Sequence, residues 1–166
     1  MSAAAIIIER VDPSGDEARW CVEQYFAELS ERFADGFDSD ATAPADDDEL
    51  VAPHGAFLVA RLAGEAVGCG AVKTWTPASA DVGGVADIKR MWVSPRVRGE
   101  GLGKRLLEAL EREAIALGLG TARLETNRSL AEALAMYRGR GYREIEPYSG
   151  DPYADFAFER ELAARD

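Results

Sequence analysis

The sequence predicts a mixed α/β fold with an antiparallel start, and three observations carry that reading. Short apolar segments separated by turn residues mark strands. Between them lie longer stretches in which apolar residues recur every three or four positions, the mark of amphipathic helices. One short strand, Met91-Trp92-Val93, passes through a Pro-containing turn into glycines at alternate positions, Gly99, Gly101 and Gly103, and then into a helix.

In chain order, residues 3–10 form the first strand, whose apolar run is short, lacks a basic leader and is stopped by Glu9 and Arg10, unlike a signal peptide. Ser14 and Glu17 have capping-box spacing and open a helix with Ala18, Val22, Tyr25, Leu29 and Phe33 on one face. Residues 35–49 contain Gly36, Pro44 and seven acids (Asp35, Asp38, Asp40, Asp46, Asp47, Asp48 and Glu49) without a base. This reads as a loop with a short helix near residues 46–51, serving either as a solvated connection or as a lid or binding loop. Strands at 56–60 and 67–72 form a hairpin around Gly64, and a third strand covers 87–93. The next helix carries Leu102, Leu106, Leu110, Ala114 and Leu117 on one stripe and ends at Gly118. A strand at 121–126 follows. Ser129 and Glu132 are a second capping-box candidate, opening a helix through Ala133, Leu134, Met136 and Tyr137 that Gly139 and Gly141 end. Two strands, near 142–145 and 153–160, complete the chain, and residues 1–166 are read as a single domain.

Composition narrows the function classes. Hydrophobic residues make up 47% and charged residues 30%, which fits a packed core. The net charge of −11 argues against nucleic acid as a main partner. That charge is uneven. Lys89 to Arg143 holds twelve Lys/Arg and six Asp/Glu, whereas the remainder holds seven basic and twenty-four acidic residues. A basic half around the glycines and an acidic half elsewhere suit an anionic cofactor and a cationic substrate, although an acidic surface also simply promotes solubility. Two cysteines in apolar surroundings, Cys21 and Cys69, fit a reducing compartment and a cytoplasmic location. No apolar run reaches the roughly 20 residues of a membrane span. His54, in a Pro-His-Gly turn, is the only histidine, so no site resting on a pair of histidines can be built and no metal is expected.

The glycine stretch is the most informative segment. Glycine adopts positive φ and allows close approach to a ligand, and a helix start presents unpaired N–H groups to an anion. Together they form a pyrophosphate cradle. The stretch is not a P-loop, because no Gly-Lys-Ser/Thr follows with the right spacing, and it lacks the intervals of the dinucleotide fingerprint. Arg98-Gly99-Glu100-Gly101-Leu102-Gly103, placed after an apolar strand and before an amphipathic helix, resembles the acetyl-CoA motif of GNAT-type N-acetyltransferases. The order of elements agrees from first strand to last, so the resemblance covers nearly the whole chain, with residues 35–55 the least constrained.

The resemblance implies a central mixed, mostly antiparallel sheet of about seven strands with about four helices. It implies transfer of acetyl from acetyl-CoA to a primary amine by direct attack in a ternary complex, with no metal. The amides of Gly99, Glu100, Gly101, Leu102, Gly103 and Lys104 would bind the CoA pyrophosphate, and Arg98 would open that loop. Met91, Trp92 and Val93 would pair through their backbone with the pantetheine arm, like an added strand, where this strand splays from the next. Asn127 matches a CoA-contacting asparagine, its other reading being a helix cap. Tyr137 lies thirty-nine residues after Arg98, where the family often has a tyrosine that protonates the departing thiolate; otherwise it is a core tyrosine. Asp87 stands where several members carry a glutamate base. It is one methylene shorter, which favours a water relay, and its other reading is a strand residue paired with Lys89 or Arg90. The acidic loop and the Tyr148–Asp155 segment would face the amine, which is then a small cation, and many relatives are dimers. Two further readings stay open: a CoA-binding sensor or regulatory module without transfer, and an acetyltransferase acting on protein or peptide N-termini.

Overall fold

A computed structural model describes residues 5–38, 46–79 and 83–162. The elements are β1 (Ile6–Val11), α1 (Asp16–Arg32), a 3₁₀ turn (Asp47–Leu50), β2 (Gly55–Leu62), β3 (Glu65–Thr76) and β4 (Gly84–Val93). A 3₁₀ turn (Pro95–Val97), α2 (Leu102–Ala116), β5 (Leu119–Thr126), α3 (Ala131–Gly139), β6 (Arg143–Ile145) and β7 (Phe156–Glu161) follow. The seven strands form one sheet in the order β1-β2-β3-β4-β5-β7-β6. Among the described residues only β4 and β5 are parallel; every other neighbouring pair is antiparallel. The helix count differs slightly from about four: the described residues form three α-helices, and the expected short helix near 46–51 is the 3₁₀ turn Asp47–Leu50.

The strand period of two sends alternate residues of β2 to opposite layers. Phe57 and Val59 pack with Ala18 and Cys21 of α1, whereas Leu58 packs with Leu107, Leu110 and Ala114 of α2. The sheet is thus buried on both faces in its middle, with α1 on one side and α2 on the other. Gly70 of β3 permits this closeness, since a Cβ there would stand 2.7 Å from Leu110 Cδ1. No helix among the described residues is long and apolar enough to cross a membrane.

β4 positions the site because its two halves are paired differently. Gly84–Ile88 pair with β5 between Leu119 and Leu124, and the parallel ladder stops there. Beyond it β4 keeps its antiparallel partner, Trp92 opposite Cys69 and Val93 opposite Gly68, while β5 stays with β7 as far as Thr126 opposite Phe156. The two strands therefore part after Ile88. In the same place β4 carries an extra residue relative to β3, between the Cys69 and Ala71 positions, and Arg90 adopts a φ of 56°. That conformation is uncommon for any residue but glycine and belongs to a bulge.

Local start signals were less faithful than the elements. Neither capping box forms: the helix N-caps are Gly15 and Leu130, without side-chain caps. The serines are held instead by upstream side chains, Ser14 N–H and hydroxyl donating to Asp12 Oδ1 and Ser129 N–H donating to Asn127 Oδ1. Such Asx turns compete directly with N-capping. β4 begins at Gly84, so Asp87 lies inside the strand, and β7 begins at Phe156, because Tyr153 turns its ring onto Phe33 and Phe37. Residues 3 and 4 of the expected first strand, with Asp40 and Pro44 of the acidic loop, lie outside the described residues.

Candidate active site

Where β4 and β5 part, a cleft of about 330 Å³ opens, lined by both strands, by α1 and α3, by the glycine loop and by residues 151, 153 and 154. That volume suits a small-molecule site. At one end the glycine loop turns into α2. Gly99 and Gly101 have φ of 84° and 81°, and a Cβ at either would meet no atom within 4 Å. Positive φ with open space beside it is what a ligand-cradling backbone needs, and the first turn of α2 adds N–H groups that have no intrahelical acceptor. Leu102 is buried and pins this helix start among Val97 and Leu106. Gly103 sits below Met136, whose Sδ would be 3.4 Å from a Cβ. Arg98 lies along the rim, its Nε donating to the Val93 carbonyl at 3.1 Å and its guanidinium paired with Glu28 of α1. Glu100 and Lys104 are exposed and do not line the cleft, so only their backbone N–H groups are placed near the cradle. This open glycine cradle and its orphan helix N–H groups fit a pyrophosphate.

Met91, Trp92 and Val93 all line the cleft from the unpaired edge of β4. Their side chains are committed to packing: Met91 and Val93 toward α2, and Trp92 toward α1 with Trp20 edge-on at 5.7 Å. What they offer the cleft is backbone, as strand addition requires. Asn127 also lines it, but both ends of its side chain are used within the protein. Nδ2 donates to the Tyr153 carbonyl at 2.8 Å and Oδ1 accepts from Ser129. Its turn-capping role is therefore visible, and it also ties the segment after β6 to the end of β5.

Asp87 and Tyr137 both line this cleft, Asp87 from β4 and Tyr137 from α3. Asp87 is only 3% exposed. Its carboxylate accepts from the Tyr148 hydroxyl at 3.0 Å and from Lys89 Nζ at 3.4 Å. Burial raises its pKa above the ordinary carboxylate value, opposed by Lys89, by the Tyr148 hydrogen bond and by Lys73. Tyr137 is 6% exposed, with its hydroxyl 3.8 Å from Met91 Sδ. Burial raises its pKa too, so the phenol stays protonated at neutral pH. An ion-pair chain, Arg98–Glu28–Arg32–Glu132, links the glycine loop to α1 and α3 around the cleft.

The family model described as the acetyltransferase (GNAT) family matches residues 22–142. An IAA acetyltransferase of Azospirillum brasilense is 37% identical over 154 residues, 91% of this chain and 95% of the relative. The chain belongs to the GNAT acetyltransferase family. Solved GNAT structures share its fold. One from Staphylococcus aureus has a TM-score of 0.72 at 18% identity, covering 96% of this chain and 100% of the other. Another, from Elizabethkingia anophelis with acetyl-CoA bound, has a TM-score of 0.63 at 17% identity, covering 95% and 98%. The protein is thus an acetyl-CoA-dependent N-acetyltransferase.

Several residues of this GNAT cleft carry no sequence signal. Tyr148 holds Asp87, and stacks edge-on against Trp75 at 5.1 Å, but it sits in an irregular segment with no motif. Phe26, Phe33, Phe37 and Tyr153 line the far end of the cleft as a ring cluster with centroids 4.9–5.6 Å apart. Of these, Phe33 was marked as a helix-face residue and Tyr153 lay in the Tyr148–Asp155 segment expected to face the amine, whose Asp151, Tyr153 and Ala154 do line the cleft. The acids expected to face the substrate behave differently. Asp35, Asp38, Asp46, Asp47, Asp48 and Glu49 do not line the cleft, and Glu49 pairs with Lys73 at 3.0 Å. Cys69 is packed inside the sheet, as expected of a non-nucleophile, donating to the Arg90 carbonyl at 3.2 Å.

Proposed function

We propose that the protein transfers acetyl from acetyl-CoA to a primary amine by direct attack, with Asp87 as base and Tyr137 as acid. The observation that carries this is the placement of a buried carboxylate on β4 and a buried phenol on α3 in one cleft that ends at the glycine cradle. A free aliphatic ammonium has a pKa of about 10.4, far above a carboxylate near 3.9, and burial narrows the gap from the Asp87 side.

The amine approaches Asp87 and gives up a proton to it, directly or through one water. Its nitrogen lone pair attacks the thioester carbon, and the carbonyl electrons move onto oxygen, where a backbone N–H on the unpaired edge of β4 stabilises them. As the carbonyl re-forms, the C–S bond breaks, and the thiolate takes the Tyr137 proton. Asp87 passes the first proton to solvent and then accepts the second nitrogen proton, which leaves by the same route, and the tyrosinate is reprotonated from solvent. The described residues of the acidic loop do not line the cleft, and Asp47 reaches it electrostatically through Arg90.

The test is release of CoA thiol against a panel of small amines, amino acids, peptides and IAA, for which the Azospirillum relative is named. Transfer predicts release with at least one amine. Saturable acetyl-CoA binding with no release from any of them would overturn the transfer reading and leave a CoA-binding module.

A further inference from the structure

Arg90 is the unbalanced charge of the cleft. Strand alternation would send it to the α2 face beside Ile88, but the bulge and its φ of 56° turn it the other way, and its guanidinium lies over the Phe26 ring of α1 at 5.7 Å. A non-glycine residue keeps such a conformation only where the surroundings impose it, and such residues gather at functional sites. The acids lining the cleft already have partners: Glu28 holds Arg98 and Arg32, Glu132 holds Arg32, and Asp87 holds Lys89 and Tyr148. Glu125 accepts from Tyr148 and Ser149, and Asp151 accepts from Tyr153 N–H. Among the described residues Arg90 has no ion pair and no hydrogen-bond acceptor for its side chain, and Asp47 acts on it only electrostatically, although Arg90 is partly buried and lines the cleft. A desolvated, unpaired cation is unfavourable until an anion joins it. The Tyr25 hydroxyl, on the same lining and close enough to influence Arg90 electrostatically, likewise has no hydrogen bond to a described residue.

We propose that Arg90, assisted by the Tyr25 hydroxyl, binds a carboxylate of the acceptor, so that the acceptor is an amino acid whose aromatic or apolar side chain rests on the Phe26, Phe33, Phe37 and Tyr153 rings. This rests on the transfer reading above and deepens it. Asp87 and Arg90 lie on one strand and both line the cleft, one to meet the amine and the other the carboxylate of the same molecule. A planar guanidinium matches a carboxylate with two parallel hydrogen bonds, which an ammonium does not. Arg90 is then a specificity-determining residue rather than a participant in the bond changes.

The experiment compares matched pairs that differ only in the carboxylate: phenylalanine with phenethylamine, tryptophan with tryptamine, and leucine with isoamylamine. CoA release should favour the acid of each pair by roughly tenfold or more in kcat/KM. Arg90→Gly removes the guanidinium and places at this position a residue that adopts the left-handed φ without strain. It should raise KM for the acids on the order of 10–100-fold, so that the acid-over-amine preference collapses, while kcat at saturation changes far less. Arg90→Lys should fall between. Decarboxylated amines that match or exceed their acids, or an Arg90→Gly that weakens both members of each pair alike, would overturn the proposal. If no pair releases CoA while another amine of the panel does, the amino-acid acceptor is overturned and the transfer reading stands; if nothing in the panel releases CoA, the transfer reading fails, and the carboxylate site is read by calorimetry with N-acetylphenylalanine and CoA. Binding that Arg90→Gly weakens tenfold or more upholds the site, and the lack of binding to the unaltered protein removes it.

Discussion

The two ends of the cleft, proposed for cofactor and acceptor, are built by different means. The cofactor end is backbone: two open glycines at positive φ, the start of α2 and the unpaired edge of β4, all within Met91–Lys104. The acceptor end is side chain: Tyr25 and Phe26 from α1, Phe33 and Phe37 just after it, Asp87 and Arg90 from β4, Tyr148 and Tyr153 from the segment between β6 and β7. Backbone recognition tolerates changes in most side chains, so one donor can be kept while acceptors vary. The acceptor end has no such protection, and each of its contacts can be removed singly.

The largest effect should come at the junction of the two ends. Asp87→Asn should lower turnover toward the upper part of the 10²–10⁴-fold range of acid–base assistance, with acetyl-CoA affinity kept, as burst kinetics and calorimetry would show. Tyr137→Phe should have a smaller effect, about 10²-fold on turnover. A thiol of pKa about 8.5 leaves more readily unprotonated than an amine of about 10.4 loses its proton. Full turnover for Tyr137→Phe across pH would assign that ring to the core alone. At the cofactor end, Gly101→Val puts a branched side chain at φ 81° into the open cradle. Acetyl-CoA affinity should fall about tenfold, with about 1–2 kcal/mol of stability lost to the strained backbone. A fall in melting temperature alone, with affinity intact, would place the pyrophosphate elsewhere.

The remaining two predictions act on the acceptor end. The Tyr148 hydrogen bond holds the Asp87 carboxyl below where burial alone would put it. Asp87 must be ionised to act as base, so activity is lost as pH falls through its pKa. Tyr148→Phe should therefore move the acid limb of kcat/KM to higher pH, whereas a purely structural role for Tyr148 would lower the profile without shifting it. Changing Asp46 and Asp48 together to Asn, with Asp47 kept because it acts electrostatically on Arg90, should leave acceptor KM within about twofold, since neither lines the cleft. A marked rise in KM at low salt would restore the acidic loop as a substrate guide.

The sheet was legible because the period of two and the turn residues at Gly64, Gly118 and Gly141 are local signals. The cofactor loop was legible for the same reason, its chemistry lying within one contiguous stretch. Start signals for α1 and α3 misled because Asp12 and Asn127, just upstream, captured the serines that would have capped them. Asn127 shows the limit of spacing as a guide. Its position was marked, but its amide holds the Tyr153 carbonyl, a partner that only folding brings near.

Sequence alone carried the donor reading, because a glycine loop between a strand and a helix is a contiguous motif that holds the family resemblance. Tertiary structure decided what faces the acceptor. The bulge that turns Arg90 toward α1 depends on the register of β4 against β3, and the Tyr148 contact to Asp87 joins residues sixty-one positions apart. Register and long-range contacts are settled by packing two helical layers on one sheet, and no local pattern of residues encodes them.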